Sequence, residues 1–251
     1  MTALPTAEVL AILSQYDTPT VCNVIELCDH QPRNTGYLRH SIRAIYPEMP
    51  PMVGYAVTVA FRSATVAAPE ETPLSLFDLL EAWQSIPPPR VAVIQDLDHL
   101  SDGAVCGEIM VSVFKGFSCV GLVTNGCVRD IHQIKSLHFP CFAAGISPSH
   151  AYCRLLLANQ PVSVGGRIIR PGDLLHGDGN GVTTIPAPIA TKVADHCAEY
   201  VAAEQILIEG AKGGLTLSLD KFRESIQAFT KRHDELSKKM SGHATDRRVG
   251  V

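Results

Sequence analysis

The chain lacks several features that would place it in a functional class immediately. No apolar run in its 251 residues approaches the roughly 20 residues that a membrane helix needs. The N-terminus, Met1 to Pro5, has neither the charged start nor the apolar stretch of a signal peptide. The body of the chain carries no basic block and the net charge is −4, so nucleic acid is not an expected partner. We therefore expect a cytoplasmic protein that does not bind membranes.

Metal and redox motifs built from cysteine and histidine are also missing. None of the eight cysteines is spaced as C-x-x-C, and the ten histidines form neither an H-E-x-x-H motif nor an i, i+4 pair. Most cysteines are therefore expected to be buried and reduced. Two residues keep a second interpretation, Cys127 as a nucleophile and His132 as a neighbour of Asp130. A thiol without a base and a histidine on a helix surface are the favoured interpretations.

The sequence does contain enough apolar residues for a large core. Its hydrophobic content is 46% and its charged content 18%, which are typical of a globular domain. We predict a single catalytic domain over residues 1–230. The following residues 231–251, rich in Lys, Arg, His and Ser, are predicted to form a basic tail that begins as a frayed helix and ends in a disordered segment.

The spacing of apolar residues predicts helices and strands that alternate along the chain. Helices are predicted over 7–15, 74–83, 107–115, 130–137 and 187–208, and strands over 53–61, 91–95, 120–124, 141–144, 162–164, 167–169 and 182–185. Thr6 is a candidate N-cap, and Asp17-Thr-Pro-Thr20 is predicted to start a further helix. Gly165-Gly166 indicates a tight hairpin turn. The Asp178 to Gly181 stretch faintly resembles a calcium loop, although a turn is favoured because the downstream Glu is absent.

Two turns that lead from a strand into a helix carry the most chemically informative residues. Gly107-Glu-Ile-Met110 follows the strand at 91–95, and the run Gly121-Leu-Val-Thr-Asn-Gly-Cys-Val-Arg-Asp130 ends in an Arg-Asp pair. If the strands at 91–95 and 120–124 are parallel neighbours, both turns lie at their carboxyl ends. That edge is where open α/β sheets bind ligands.

The residue types at these turns suit an anionic ligand and a hard cation. Backbone N–H groups of Ile109 and Met110 in a first helical turn can hold a carboxylate. Arg129 can hold the same group with its planar fork of donors. Asp130 offers an oxygen ligand suited to Mg²⁺ or Mn²⁺. The alternative, which the Arg129-Asp130 pair taken alone favours, is that Asp130 caps its helix and Arg129 is a solvated cation. Glu108 would then be an ordinary acidic residue in the first turn of a helix.

The chain resembles the RraA-like, 4-hydroxy-4-methyl-2-oxoglutarate aldolase family in three successive segments. They are Gly107-Glu-Ile-Met110, Gly121-Leu-Val-Thr-Asn-Gly-Cys-Val-Arg-Asp130 and Pro171-Gly-Asp-Leu-Leu-His-Gly-Asp-Gly-Asn-Gly-Val-Thr-Thr-Ile-Pro186. The agreement extends to Asp17-Thr-Pro-Thr-Val-Cys-Asn23 and Val53-Gly-Tyr-Ala-Val-Thr58, and so covers roughly residues 10 to 210. The resemblance implies a swivelling α/β/β/α domain with a central mixed sheet, assembled as a homotrimer or homohexamer.

The resemblance also implies which residues act. Backbone amides of Gly107 to Met110 and the side chain of Arg129 would bind a pyruvate-like carboxylate, and Asp130 would hold Mg²⁺, Mn²⁺ or another divalent cation. The expected activity is cleavage of a 2-oxo acid, either by a retro-aldol reaction or by decarboxylation of an oxaloacetate-like substrate to pyruvate. Glu108 is the nearest candidate for an acid or base. A neighbouring subunit is implied to contribute Glu204 or Glu209.

The chain departs from the family pattern at two positions. Gln133 and Asn180 stand where the family lyases usually carry acidic residues, so charge near the expected metal is reduced. The family also includes a binding protein that inhibits a ribonuclease by contact. A non-catalytic regulator of a ribonuclease is therefore the alternative function.

Overall fold

A computed structural model describes residues 4–98, 103–212 and 217–241 of the chain. These residues divide into two compact units. The first contains the described residues up to Thr35 and from Pro188 onward, and the second contains Gly36–Ala187. The single domain over 1–230 stays a prediction.

The helices of both units are described by their bounds. They are α1 (Ala7–Leu13), α2 (Thr18–Leu27), α3 (Leu76–Trp83), α4 (Glu108–Gly116), α5 (Ile131–Ser136), α6 (Ala190–Ala211) and α7 (Leu219–Ser241), with a 3₁₀ turn at Ala187–Ile189. Within the three described ranges, no helix combines the length and the apolar character needed to cross a membrane.

All described strands belong to the second unit. They are β1 (Arg43–Ala44), β2 (Met52–Arg62), β3 (Arg90–Asp96), β4 (Ala104–Cys106), β5 (Cys119–Thr124), β6 (Cys127–Val128), β7 (Cys141–Ala143), β8 (Gly145–Ile146), β9 (Arg154–Ala158), β10 (Val162–Val164), β11 (Arg167–Ile169), β12 (Leu174–Asp178) and β13 (Gly181–Ile185).

The first unit is helical, and its helix starts follow from the capping residues. The Thr6 hydroxyl accepts a hydrogen bond from the Val9 N–H at 3.4 Å, and the Asp17 carboxylate accepts one from the Thr20 N–H at 2.8 Å. Both predicted starts are confirmed. Helix α7 contains residues 231–241, where the sequence predicted a frayed helix at the start of the basic tail, and its apolar side packs on α6. Residues 242–251 of that tail lie outside the described residues.

The second unit is built on a mixed sheet of eight strands in the order β1-β7-β5-β3-β2-β12-β13, with β9 also paired to β2. Strands β3 and β5 are parallel neighbours, with Ile94 opposite Thr124, which meets the condition under which both turns lie at the carboxyl ends of the strands. Strand β2 is buried over ten of its eleven residues because helices or further strands cover both faces. The antiparallel hairpin of β10 and β11 around Gly165-Gly166 is also confirmed.

Several strands lie where the sequence predicted none. Strands β4, β6 and β8 form a small parallel sheet of their own, and β9 and β12 complete the large sheet. Strand β12 was hidden by its composition, since Leu174-Leu-His-Gly-Asp178 contains residues that are uncommon in strands. Helix α3 begins at Leu76, later than predicted, because Ser75 and Asp78 form a capping box.

Candidate active site

The small parallel sheet brings the two predicted turns together. Strand β4 pairs with β6 so that Ala104 lies opposite Cys127 and Cys106 opposite Val128. The Arg129 N–H then donates to the Cys106 carbonyl at 3.0 Å. One residue separates β4 from α4, and two residues separate β6 from α5. The amino-terminal end of α4 and the Arg129-Asp130 pair are therefore adjacent.

Gly107 and Asp130 approach each other closely at this point. A Cβ atom on Gly107 would lie 2.4 Å from Oδ2 of Asp130 and 3.0 Å from Nε of Arg129, so a side chain here would force the Asp130 carboxylate to move. The same Oδ2 accepts a hydrogen bond from the Glu108 N–H at 2.9 Å. Asp130 has φ 55° and ψ 43° at the N-cap of α5, yet its side chain makes no capping bond to α5. Its carboxylate therefore serves the first turn of α4 instead of its own helix.

Arg129 is positioned to meet a ligand. Its Nε lies 3.9 Å from Oδ2 of Asp130, beyond hydrogen-bond distance, and its side chain is 36% exposed. Within the described residues, no other carboxylate lies within 4.0 Å of this guanidinium. Most of its donors are therefore available to an anion.

The first turn of α4 adds backbone donors to the same place. The first bond of the helix runs from the Val111 N–H to the Gly107 carbonyl at 3.0 Å, so the N–H groups of Ile109 and Met110 have no acceptor within the helix. The Ile109 side chain is 77% exposed, whereas Met110 packs partly against the core. These donors suit an anionic ligand.

A cavity of about 390 Å³ opens beside these groups. Gly107, Met110 and Arg129 contribute to its lining. The remaining lining comes from the segment before α3, from α3 itself, from β4 and from the segment His150–Leu155, as follows: Pro73, Leu74, Leu76, Ala104, Val105, Cys106, His150, Cys153, Arg154 and Leu155. Such a volume lies within the range of small-molecule sites.

The two thiols in the cavity lining are poor nucleophiles. Burial raises the pKa of Cys106 well above its usual value, and it raises the pKa of Cys153 to about 11. Both thiols are protonated near neutral pH, and the thiolate is the reactive form. Cys127 is partly buried, and none of the eight cysteines, all of which lie in the described ranges, forms a disulfide. Four of them are fully buried and four partly buried, so the expected burial is confirmed for only half.

Two residues that the sequence did not single out hold the turns in place. Oδ1 of Asn125 accepts from the Asp96 N–H at 2.7 Å, and its Nδ2 donates to the Asp96 carbonyl at 2.9 Å, which ties the end of β3 to the end of β5. The Tyr46 hydroxyl donates to the Ile131 carbonyl at 2.7 Å in the first turn of α5. Asn125 lies within the Thr-Asn-Gly turn, and a side-chain amide in such a turn was the one sequence feature that could have indicated a hydrogen bond to backbone.

The other residues considered from the sequence lie outside this cluster or remain untested. Glu108, His132 and Gln133 are exposed, which agrees with the favoured interpretation of His132. Asn180 donates to Asp178 in the turn between β12 and β13, with its N–H 2.8 Å from Oδ1. In the first unit, Glu204 accepts from the Asn23 amide at 3.3 Å. The catalytic role of Glu108 stays a prediction.

The donor set around Asp130 is small. Within the described residues, no three His, Cys, Asp or Glu side chains cluster in a way that could hold a metal ion. Oδ2 of Asp130 accepts a hydrogen bond from the Glu108 N–H, so Oδ1 is the oxygen with more room for a cation. A single carboxylate is a sufficient protein ligand for Mg²⁺ when water and substrate oxygens supply the rest.

Comparison with solved structures identifies the fold. An uncharacterized protein from Pseudomonas syringae pv. tomato superposes with a TM-score of 0.68 and 22% identity, over 90% of this chain and 97% of that one. RraAS2 of Streptomyces coelicolor, described as an unusual member of the RNase ES inhibitor RraA protein family, superposes with a TM-score of 0.64 and 24% identity, over 80% and 96%. The predicted α/β fold with a central mixed sheet is confirmed.

Sequence comparison reaches the same family. A Halalkalibacterium halodurans protein named "Putative 4-hydroxy-4-methyl-2-oxoglutarate aldolase" is 37% identical over 109 residues, which is 43% of this chain and 51% of that protein. The Legionella pneumophila protein DlpA is 29% identical over 132 residues, or 52% of this chain and 22% of that protein. The matches therefore span about half or less of these relatives. Residues 18–184 match the RraA-like family described as Aldolase/RraA, and the chain belongs to that family.

Proposed function

We propose that this protein is a divalent-metal-dependent lyase that cleaves a carbon–carbon bond in 2-oxo acids, by retro-aldol cleavage or by decarboxylation of oxaloacetate to pyruvate. The observation that carries this proposal is the meeting of Arg129, Asp130 and the amino-terminal end of α4 beside one cavity. A guanidinium, helix amides and a carboxylate together match a ligand that is an anion and that gains charge during the reaction.

The substrate carboxylate is proposed to bind between the first turn of α4 and Arg129. The N–H groups of Ile109 and Met110 donate to it from the first turn of α4, and Arg129 donates from the adjacent turn. The pairing of β4 with β6 places the start of α4 beside the backbone of Arg129, so both sets of donors lie on the same side of the small parallel sheet. When the carbon–carbon bond breaks, negative charge develops on the enolate of pyruvate, and Arg129 stabilises that charge.

Oδ1 of Asp130 would be the protein ligand of the divalent cation. A cation of this kind, when bound, acts as a Lewis acid that polarises the 2-oxo group. Glu108, the first residue of α4, is proposed to act as an acid or base that transfers a proton to or from the substrate. Its side chain is exposed next to the same turn. The assembly as a homotrimer or homohexamer stays a prediction.

The relatives support this assignment by name. Matching proteins from H. halodurans and P. syringae pv. tomato both carry the name "Putative 4-hydroxy-4-methyl-2-oxoglutarate aldolase", at 37% and 31% identity. Because the matched segments cover 51% and 54% of those proteins, their activity is applied here as a proposal.

The test is pyruvate release from oxaloacetate and from 4-hydroxy-4-methyl-2-oxoglutarate, measured with Mg²⁺, with Mn²⁺ and after chelation. We expect turnover that depends on the cation and returns when the cation is restored. Turnover that chelation leaves unchanged would refute the metal dependence. Absence of turnover under every condition would favour the alternative, a binding protein that regulates a ribonuclease.

Asp130→Asn is the informative variant. Asparagine tolerates the left-handed conformation of this position and keeps an acceptor for the Glu108 N–H, but it lacks the negative charge. We expect cation-dependent turnover to be lost while the unfolding midpoint stays close to that of the wild type. His132→Ala changes an exposed residue of the same helix and serves as the control. Equal activities in the two variants would remove Asp130 from the mechanism.

A further inference from the structure

The cavity beside Arg129 has a wall of aliphatic side chains. Leu74 and Leu155 form an isolated antiparallel bridge, with the Leu74 N–H 2.8 Å from the Leu155 carbonyl. Both residues line the cavity together with Pro73 and Leu76. Three of these four belong to the segment that leads into and begins α3, and the fourth belongs to β9. The wall is therefore fixed to the edge of the large sheet.

The second arginine of the cavity is already neutralised. Arg154 donates to both carboxylate oxygens of Glu71, from Nε at 2.9 Å and from Nη2 at 3.0 Å, and it also donates to the Thr65 carbonyl. The hydrogen bond from Arg154 lowers the pKa of Glu71, so the pair is ionised at neutral pH. Its fork of donors is consequently used within the protein.

This division of charge limits what the cavity can bind. Of the two arginines in the lining, Arg129 offers its donors to a ligand, whereas Arg154 offers a charge that Glu71 compensates. A ligand with one carboxylate at Arg129 would meet mainly apolar side chains beyond it. A second carboxylate placed against Leu74 and Leu155 would exchange water for apolar contacts and would find Arg154 already paired with Glu71, which is unfavourable.

We propose that this cavity selects 4-hydroxy-2-oxo acids that carry an apolar substituent at C4, with the carboxylate at Arg129 and the substituent against the wall of Leu74, Leu76 and Leu155. This inference rests on the proposed lyase function and narrows it, because dicarboxylates such as 4-hydroxy-4-methyl-2-oxoglutarate and oxaloacetate are then expected to turn over more slowly than 2-oxo acids with a single carboxylate. A volume of about 390 Å³ accommodates the pyruvyl part of such a substrate together with an alkyl or aryl group.

The reaction of such a substrate is a balanced cleavage. The C3–C4 bond breaks and its electron pair stays with C3, which becomes part of the enolate of pyruvate. The C4 hydroxyl loses its proton to a base, and C4 leaves as the carbonyl carbon of an apolar aldehyde. The enolate takes up one proton at C3 to give pyruvate, so the step requires no oxidant or reductant.

The test compares substrates that differ only at C4. Pyruvate release is measured from 4-hydroxy-2-oxo acids whose C4 substituent is methyl, isobutyl, phenyl or carboxylate. We expect kcat/KM for the isobutyl or phenyl compound to exceed that for the carboxylate compound by about tenfold or more. A preference for the carboxylate compound would overturn the inference and leave the lyase function standing. Absence of pyruvate from every compound and from oxaloacetate would refute the lyase function itself, and the inference with it.

Three variants distinguish the effect of the apolar wall on substrate preference from the effect of the rest of the site. Leu155→Asn places an amide in the cavity, and Leu74→Asn does the same from the facing segment. Leu157→Asn changes a residue of the same strand that is 52% exposed and does not contribute to the lining. We expect both wall variants to lose the preference for apolar substituents, while Leu157→Asn keeps it.

Inhibition by pyruvate serves as the internal control for folding. Pyruvate carries the carboxylate but no C4 substituent, so its inhibition constant should be the same in the wild type and in both wall variants. An unchanged inhibition constant shows that the Arg129 end of the site is intact. If an intact wall variant kept the full preference, or if Leu157→Asn lost it equally, the assignment of the wall would be refuted.

Discussion

Replacing Gly107 by alanine tests the closest contact of the candidate site. The new Cβ would lie 2.4 Å from Oδ2 of Asp130, whereas ordinary contact begins at 3.4 Å, so the carboxylate must move by about 1 Å. That movement removes the hydrogen bond from the Glu108 N–H, which is 2.9 Å long and made to a charged acceptor. We expect the free energy of unfolding to fall by about 1.5–3 kcal/mol. A displacement of this size at reacting groups also predicts a loss of roughly 100-fold in kcat.

Gly116→Ala provides the matched control for this experiment. Gly116 ends the same helix, and a Cβ there would meet nothing within 4 Å. Alanine at this position should leave activity unchanged and should raise stability slightly, since glycine is the poorer helix former. The assays are urea unfolding and pyruvate release coupled to lactate dehydrogenase. If Gly107→Ala matched Gly116→Ala in both assays, the close packing of Gly107 on Asp130 would be refuted.

Three further predictions concern the site and the helical unit. Arg129→Lys keeps the charge but loses the planar fork, so transition-state stabilisation should fall by about 1.5–3 kcal/mol. This corresponds to a loss of roughly tenfold to hundredfold in kcat/KM. Full activity with normal pyruvate inhibition would contradict the role of Arg129. Asn125→Ala removes two hydrogen bonds to the Asp96 backbone and should lower the free energy of unfolding by about 1–3 kcal/mol in urea titrations; an unchanged midpoint would contradict this. Burial raises the pKa of Glu204 above its usual 4.5, so the folded state binds more protons and stability falls as pH rises from that value through the folded pKa. Glu204→Gln should flatten the fall in urea midpoints over this window, and an identical slope in both proteins would count against it.

The sequence was most informative where structure depends on neighbours in the chain. Strands β3 and β5 are continuous apolar runs that are buried in the sheet, and their pattern was sufficient to predict them. Thr6 and Asp17 accept hydrogen bonds from N–H groups three residues later, so the caps of α1 and α2 were also readable. The Gly165-Gly166 hairpin required only a local turn preference.

The candidate site was predictable in its residues but not in its arrangement. Arg129, Asp130 and the turn at Gly107 were identified from turn chemistry and from the family resemblance. The sequence treated Asp130 as a possible cap of its own helix, whereas its carboxylate accepts from Glu108 of the neighbouring helix. That partner is 22 residues away, and no local pattern specifies such a distance.

The sequence by itself determined the alternation of helices and strands, the helix starts and the residues that suit an anionic ligand. These depend on hydrophobic period, caps and side-chain chemistry, which are properties of short segments. Only the tertiary structure decided that β4 pairs with β6, that Arg154 forms an ion pair with Glu71, and that Leu74 lies beside Leu155 to form an apolar wall. These contacts join residues that are 22 to 83 positions apart, and the folded sheet alone determines which of them meet.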